Sequence, residues 1–409
     1  MKSFKTYLTE EKNLHMEHLE DNILNSGVEG ARETINFLRS LRDMFAGHNN
    51  GKVDVTVKWD GAPAIFTGQD PRDGKFFVAK KGIFNKNPKM YKTTKEIDAD
   101  LPGDLADKFK IALKEFAKLG IRGIIQGDLM FTKKTLKTQN FEGEKLVTFQ
   151  PNTIVYGVPR DSELGRRISR AKIGVVWHTR YHGNTLEDMS ASFTDDLTRE
   201  MVPNKNVWFV DAKYRDQSGT ATFTKKETKK ITGILSQAGK LFRTIDAKVM
   251  NGIKNDPELL LRIKTFNNTK VKESQKISNP KRHTVELVDF IFKFYQKEID
   301  QKKTDKGKAV WETKRTNILK FFGKNNQQDI SKIFELMNLI VDAKELIIAK
   351  LDKVKLLDTL LMTDRGLEAT GQEGFVAIDR IKGNAVKLVD RMQFSYANFS
   401  PKIKKGWER

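Results

Sequence analysis

Residues 53–66, VDVTVKWDGAPAIF, begin as a strand and end in charged residues around a glycine. Three valines alternate with polar residues, a pattern that predicts a strand with one buried face. The alternation gives way to Lys58 and Asp60, which stand two positions apart and would share a face of a strand. Gly61 follows, and a glycine lets the backbone approach a ligand closely. Taken alone, this segment would be explained by a salt bridge at a strand end and a turn.

Charged residues also occur on or beside other predicted strands, so the segment at Lys58 does not stand alone. They are Gln126 and Asp128 in IIQGDLMF, Glu373 in EGFVAIDR, Lys387 in AVKLVDR, and Lys80 and Lys81 after FFVA. A lysine among strand carboxylates and further lysines is suited to attack the α-phosphate of a nucleotide. Burial and neighbouring cations lower a lysine pKa from its usual ~10.4. Carboxylates can hold a divalent metal that neutralises phosphate charge.

The periodicity changes along the chain and predicts an α+β protein with antiparallel sheets. Residues 9–47 have helical spacing, short β-rich runs fill 52–183, and helical periodicity returns from about 195 to 365. Residues 373–391 form two alternating runs around Lys-Gly-Asn, which predicts a hairpin. The predicted parts are an N-terminal helical segment (1–50), a two-piece α+β domain (51–194 and 366–409) and a basic all-helical insertion (195–365).

Positive charge is large and unevenly distributed. The net charge is +21, and residues 213–330 hold 27 Lys and Arg against 13 Asp and Glu. A bias of one sign over such a length favours a phosphate-facing surface, hence a nucleic-acid partner. A merely solvated basic face is the alternative. Four aromatic residues lie among these lysines, and we expect most of them in the core, with base stacking as the alternative: Phe290, Phe292, Phe294 and Tyr295.

The composition also limits the compartment. Cysteine is absent, which excludes disulfides and cysteine-ligated zinc and fits a reducing cytoplasm. No run of about 18 apolar residues predicts a membrane span, and the N-terminus has no apolar signal segment. We expect a cytoplasmic monomer without a membrane partner. His15 and His18 have the spacing of a metal pair, but packing on a helix explains them better.

The order KxDG, GDL strand, EGxV and VKL strand resembles the nucleotidyltransferase superfamily of ATP-dependent DNA and RNA ligases and capping enzymes. The resemblance covers about residues 52–183 and 373–391. AKKGIF is similar to the Lys-Gly segment that follows the nucleophile in RNA ligases of tailed phages. The chain as a whole resembles a phage-encoded, ligase-like family, whose host cytoplasm would be its location.

The resemblance implies ATP and Mg²⁺, with Mn²⁺ as a substitute, and gives each motif residue a role. Lys58 would become lysyl-AMP, Asp60 would position nucleotide and metal, and Lys387 would contact the α-phosphate. Asp128, where the family usually has Glu, would contact metal or ribose, and Glu373 would bind the metal. The other nucleotide-binding residues would be Gly61, Lys80, Lys81, Arg380 and an aromatic that stacks on adenine, with Trp177 as first choice, then Tyr156 and His178.

Three positions depart from the family pattern. Pro63 stands where the family usually has Arg, and Ile378 and Val389 stand where it usually has Lys. Strand parity suggests that Arg380 and Arg391, each two residues further on, supply the missing charge. The 22 residues after Lys387 are also too few for the OB-fold of DNA ligases and capping enzymes.

Three functions are compatible with these observations. The leading one is an ATP-dependent polynucleotide ligase that joins 5′-phosphate and 3′-hydroxyl ends of DNA or RNA. The second is another nucleotidyltransferase, of the capping type or transferring AMP to protein. The third is a catalytically inactive, nucleic-acid-binding phage protein.

Overall fold

The computed structural model describes residues 18–47, 53–85, 87–192, 196–213, 222–273, 275–353, 357–379 and 385–407. The protein is α+β, with mainly antiparallel sheets. The described helices are α1 Asn22–Phe45, α2 Thr94–Asp100, α3 Gly103–Phe116, α4 Glu163–Arg170, α5 Lys225–Phe242, α6 Ala247–Asn255, α7 Pro257–Lys272, α8 Pro280–Asp300, α9 Asp305–Lys320, α10 Lys324–Leu351 and α11 Arg391–Phe399.

The described strands form three sheets. They are β1 Val53–Lys58, β2 Ala64–Gln69, β3 Phe76–Ala79, β4 Ile124–Thr132, β5 Lys137–Phe141, β6 Glu144–Phe149, β7 Ile154–Pro159, β8 Ile173–His182, β9 Ser190–Ser192, β10 Val207–Asp211, β11 Asp358–Thr363, β12 Gly366–Ala369, β13 Gly374–Asp379 and β14 Ala385–Leu388.

The first sheet joins distant parts of the chain. Its order is β1-β13-β14, and both pairs are antiparallel. The predicted hairpin of β13 and β14 is confirmed, while its turn, including Arg380, lies outside the described residues. In the register Lys58 pairs with Gly374, so the N-terminal lysine motif ends beside the start of β13.

The second and third sheets stack on either side of a shared core. The second sheet has the order β10-β8-β4-β2-β3, with β9 on β8, and the third has β12-β11-β7-β6-β5. One core, which contains Trp59, Met130 and Tyr156, joins strands of these two sheets. The opposite face of the second sheet packs on α2 and α3 through Trp177, Phe109 and Phe116.

The helical block follows local sequence signals. Thr224 caps α5 in a reciprocal capping box with Glu227, and Asn279 caps α8 with Pro280 at its first position. Two strands, β10 and β11, lie inside the range 195–365 that was predicted to be all-helical. Their apolar runs are too short to be told from helix by periodicity alone.

The N-terminal helix and the helical block form one core with the first sheet. Side chains of α1 and of the helices from α5 to α10 pack together with Val55 of β1 and Phe375 and Ala377 of β13. The predicted parts of the chain therefore share a hydrophobic interior. No helix among the described residues is both long and apolar enough to cross a membrane.

A buried ion pair ties this core to the chain's N-terminal side. Lys344 of α10 donates to Glu20 at 2.7 Å, and their side chains are 1% and 4% exposed. Burial opposes ionisation of Glu20, but Lys344 and His18 hold the pKa of its carboxyl below the usual value. Next to this pair, Arg391 Nη1 donates a hydrogen bond of 3.0 Å to Oδ1 of Asp21.

We expect Lys344→Met to lower the free energy of unfolding by about 3–5 kcal/mol, because it leaves the Glu20 carboxylate buried without its counter-charge. Adding Glu20→Gln should recover a large part of that loss. Lys276→Met is the matched control. The Lys276 ammonium lies 3.1 Å from the carboxylate of Glu345, which is in α10 beside Lys344, but the Lys276 side chain is 64% exposed. Urea unfolding of the four proteins measures the difference, and equal losses for Lys344→Met and Lys276→Met would contradict the expectation.

Candidate active site

Lys58 and Glu373 meet at the edge of the first sheet. The Lys58 ammonium donates to Glu373 Oε1 across 315 residues of sequence. The two side chains are 25% and 9% exposed, so the lysine reaches solvent while the carboxyl is largely enclosed. Phe394 of α11 lies over the ammonium, with its ring centroid 5.9 Å from Nζ. The sequence motifs predicted both residues for the site. Lys58 ends β1, Glu373 directly precedes β13, and the pairing of these two strands brings the residues into contact.

Glu373 has an unusual protonation balance. Burial raises the pKa of its carboxyl to about 7, Lys58 opposes that rise, and the carboxylates of Asp60 and Asp128 add to it. The contact with Lys58 favours the ionised form, but the loss of hydration outweighs one partly exposed counter-charge. Its second oxygen, Oε2, is buried and accepts no hydrogen bond from the described residues. Glu373 can therefore both lose and accept a proton near neutral pH.

Asp60 is a positioning residue in this structure. It is 5% exposed. Asn152 Nδ2 donates to Oδ1 at 2.5 Å, and the Thr153 and Ile154 amides donate to Oδ2 at 2.6 and 2.7 Å. The Asp60 amide in turn donates to the Tyr156 hydroxyl at 2.7 Å. These bonds fix the end of the lysine motif against the start of β7.

Gly61 allows Asp128 to come close to this motif. A Cβ at position 61 would lie 2.4 Å from the Asp128 Cβ, so a larger residue would push β4 away. The Asp128 side chain is 24% exposed, and His178 Nε2 lies 3.6 Å from its Oδ2. The sequence prediction placed Asp128 and His178 near the nucleotide. Asp128 is near enough to Glu373 to raise the pKa of its carboxyl, and His178 lies next to Asp128.

A narrow pocket lies between the segment 370–374 and α11. Its cavity volume is about 20 Å³. Asp60, Glu373 and the segment 370–374 form one side, and Gln393, Phe394 and Asn398 form the other. Gln372 Oε1 is a second buried acceptor without a partner among the described residues. Two acceptor oxygens without a partner among the described residues, Glu373 Oε2 and Gln372 Oε1, therefore belong to residues that line the pocket.

Other predicted nucleotide-binding residues lie elsewhere. Trp177 is fully buried, edge-on to Phe116 at a ring distance of 5.2 Å, and offers no face on which a base could stack. The second choice, Tyr156, is equally buried, and its ring is tilted against that of Trp59 with 5.1 Å between the ring centroids. Strand alternation identifies the two faces of β8 but not which of them a helix covers.

The predicted lysines are divided between two places. Lys387 aligns with Val376 of β13, which aligns with Thr56 of β1, so it lies on the sheet face that carries Lys58. Lys80 is turned toward α2, with its ammonium 4.0 Å from Asp100. Lys81 is exposed in the turn after β3.

Arg391 does not extend the face of β14. The strand ends at Leu388, and Asp390 caps a helix by accepting the amides of Met392 and Gln393. Arg391, at the first position of that helix, bonds Asp21 and Asn268. Strand parity, on which its predicted role depended, therefore does not apply to Arg391.

Oxygen ligands for Mg²⁺ are few but suitable. Among the described residues no three Asp, Glu or His side chains form a group that could hold a metal ion. The Asp60 oxygens are committed to donors, which leaves Glu373 Oε2 and the Asp128 carboxylate. Mg²⁺ is usually bound by one or two carboxylates together with substrate phosphates, and Mn²⁺ takes the same oxygen ligands. Glu373 and Asp128 fit that pattern.

Several residues of the site carried little signal in the sequence. Asn152 stands in QPNT before β7, an ordinary turn sequence, although it bonds Asp60. Phe394 and Asn398 belong to a helix that could have been inferred from the Asp390 cap in VDRM. Gln372 directly precedes the predicted Glu373.

Glu373→Gln should change how stability depends on pH. The folded protein holds the Glu373 proton more tightly than the unfolded chain, so this group favours folding most below pH of about 4.5, and its contribution is lost as pH rises through about 7. The difference in unfolding free energy between wild type and variant should fall by on the order of 3 kcal/mol across this window. Chemical denaturation at pH 5, 6, 7 and 8 measures it, and a flat difference would refute the assignment.

Asp60→Ala should lower the free energy of unfolding by about 3 kcal/mol, because three donors lose a buried, charged acceptor. Asp60→Asn keeps one acceptor oxygen and should cost less. Asp161→Ala, at an exposed aspartate, should change stability by no more than about 0.5 kcal/mol. Thermal and urea unfolding compare the three variants, and a fully stable Asp60→Ala protein would remove the positioning role.

Comparison with known proteins places the chain in a family. A family model described as "Family of unknown function (DUF6267)" matches residues 13–404. No curated protein and no solved structure matches the chain. The matched range takes in both pieces of the α+β part and the helical block between them, and the chain therefore belongs to the Family of unknown function (DUF6267).

Proposed function

We propose that this protein is an ATP-dependent polynucleotide ligase that works through lysyl-AMP on Lys58. The observation that carries the proposal is the Lys58–Glu373 pair, which two strands bring together beside a pocket. A partly exposed amine in contact with a largely buried carboxyl group is suited to nucleotidyl transfer. Gly61 lets Asp128 approach the segment that carries Lys58, and Lys387 lies on the face of the first sheet that carries Lys58, which supports the resemblance to ligases.

Proton transfer is the first requirement of this chemistry. Lys58 must lose a proton before its nitrogen can attack phosphorus, and the carboxyl that accepts its hydrogen bond has a pKa of about 7. Such a carboxyl is a better proton acceptor than an ordinary glutamate. Moving the proton from Lys58 to Glu373 yields a neutral amine beside a neutral acid, and only the neutral amine has the free electron pair that attacks phosphorus.

The transfer then proceeds in three displacements. The Lys58 nitrogen bonds the α-phosphorus of ATP while the bond to the bridging oxygen breaks and pyrophosphate leaves. An oxygen of a 5′-phosphate end attacks the same phosphorus, and Lys58 leaves and regains a proton. A 3′-hydroxyl finally attacks the 5′-phosphate, loses its proton and releases AMP. Positioning and charge stabilisation supply most of the acceleration in such reactions. When bound, Mg²⁺ would neutralise phosphate charge next to Glu373 and Asp128.

The partner and the setting belong to the same proposal. The basic helical block, with 27 Lys and Arg against 13 Asp and Glu over residues 213–330, would hold the DNA or RNA ends by their phosphates. We propose that the protein acts as a monomer in the cytoplasm of a phage-infected host. A catalytically inactive nucleic-acid-binding protein is the second candidate, favoured by the saturated Asp60 oxygens and by the replaced family positions.

Incubation with α-labelled ATP tests the chemistry directly. We expect label that survives denaturation in the wild type and at least a hundredfold less in Lys58→Arg, which keeps a cation beside Glu373 but cannot form the phosphoramidate. Lys145→Ala, at an exposed lysine on β6, should label like wild type. Preference for GTP would indicate a capping-type enzyme, and no label in any protein would favour the binding protein.

A further inference from the structure

The helical hairpin of α8 and α9 projects an unusually open surface. Of the 16 residues of α9 only Ile318 is buried. Phe292 of α8 is 43% exposed and Val310 of α9 is 50% exposed. A helix that buries so little gains little from the core, so its exposed side chains are free to serve a partner.

Positive charge is concentrated on this hairpin. Residues 302–320 contain seven Lys and Arg against two Asp and Glu. Lys302 pairs with Glu298 at 3.2 Å. In the part of the chain that the structure describes, no ion pair involves the other lysines of this stretch, which are Lys303, Lys306, Lys308, Lys314 and Lys320. Unpaired lysines of one sign favour a polyanion.

Aromatic rings lie among these cations. The Trp311 ring has the Lys302 and Lys314 ammonium groups at 4.7 and 4.5 Å from its centroid. The Arg315 guanidinium lies 5.0 Å from the centroid of the exposed Phe292 ring. Flat groups and cations therefore alternate across the surface formed by Phe292, Lys302, Trp311, Lys314 and Arg315, here termed the hairpin surface.

We propose that the hairpin surface binds single-stranded nucleic acid. Phe292 and the Arg315 plane would stack on unpaired bases, and Lys308 and Lys314 would contact the phosphates between them. A duplex hides its base faces and would use the lysines alone. An acidic protein would likewise make no use of the aromatic rings. The combination of aromatic rings with lysines therefore favours an unpaired strand. This site is independent of the Lys58 chemistry and would exist in an inactive protein as well.

Intrinsic fluorescence can report on this surface. Trp59, Trp177 and Trp208 are 7%, 0% and 2% exposed, whereas Trp407 is 61% exposed. In a Trp407→Phe background, Trp311 is the tryptophan nearest to the proposed strand. An oligothymidylate of about 15 nucleotides should quench the emission of Trp311. A self-complementary DNA duplex of equal charge should bind at least about tenfold more weakly.

Phe292→Ala should weaken oligothymidylate binding about tenfold, the loss expected for one stacked base. Lys308→Gln with Lys314→Gln should reduce the salt dependence, by about 0.7 in slope for each lost contact to a single strand. Phe399→Ala is the matched control, because Phe399 is 65% exposed with Lys272 at 5.9 Å from its ring centroid. That variant should bind like its parent.

Three outcomes would overturn the proposal. They are absence of oligothymidylate binding, equal binding of the duplex, and equal losses in Phe292→Ala and Phe399→Ala. Polyglutamate that competes as well as the oligonucleotide would show a general anion surface and would also overturn it. Circular dichroism of each variant checks that the helices are intact. Failure here would remove the hairpin surface from the nucleic-acid contacts proposed for the helical block, but it leaves the proposed lysyl-AMP chemistry unaffected because labelling of Lys58 is not measured.

Discussion

The antiparallel pairing of β1 with β13 is the constraint on which the candidate site depends. Lys58 and Glu373 are 315 residues apart in sequence, so only a long-range contact can join them. The register aligns Lys58 with Gly374, and a slip of one residue would turn Lys58 toward the helical core. Val55, Phe375 and Ala377 bury the opposite face in that core. Hydrophobic burial on one face thereby fixes the ion pair on the other.

Two buried glutamates show how surroundings decide the chemistry of one residue type. Glu20 faces a fully buried lysine, Lys344, and its pKa is held below the usual value. Glu373 faces a lysine that still reaches solvent, has carboxylates nearby, and its pKa rises to about 7. The first glutamate stays ionised, and removing its counter-charge would destabilise the fold. The second can exchange a proton near neutral pH, which is what a group beside a nucleophile needs.

The helices divide into a buried layer and an exposed projection. The α10 helix buries 13 of its 28 residues, Lys344 among them, and its apolar side chains lie in the core that also holds α1 and the first sheet. The α9 helix buries one residue and exposes its cations. In addition, acidic groups are buried near the pocket, whereas basic groups are exposed on the helical hairpin of α8 and α9. This separation suits a protein that would handle a nucleotide in one place and hold a polyanion in another.

The sequence alone determined the α+β class, the hairpin of β13 and β14, the helical character of most of residues 225–351, the excess of positive charge, the strand positions of Lys58 and Asp128, and the position of Glu373 directly before a strand. Those features follow from local periodicity and composition. Only the tertiary structure decided that helices cover the Trp177 face of β8, that backbone amides occupy the Asp60 carboxylate, and that Arg391 begins a helix. Periodicity shows that a face is buried but cannot say which distant segment covers it, and the partners of a buried polar group depend on that segment.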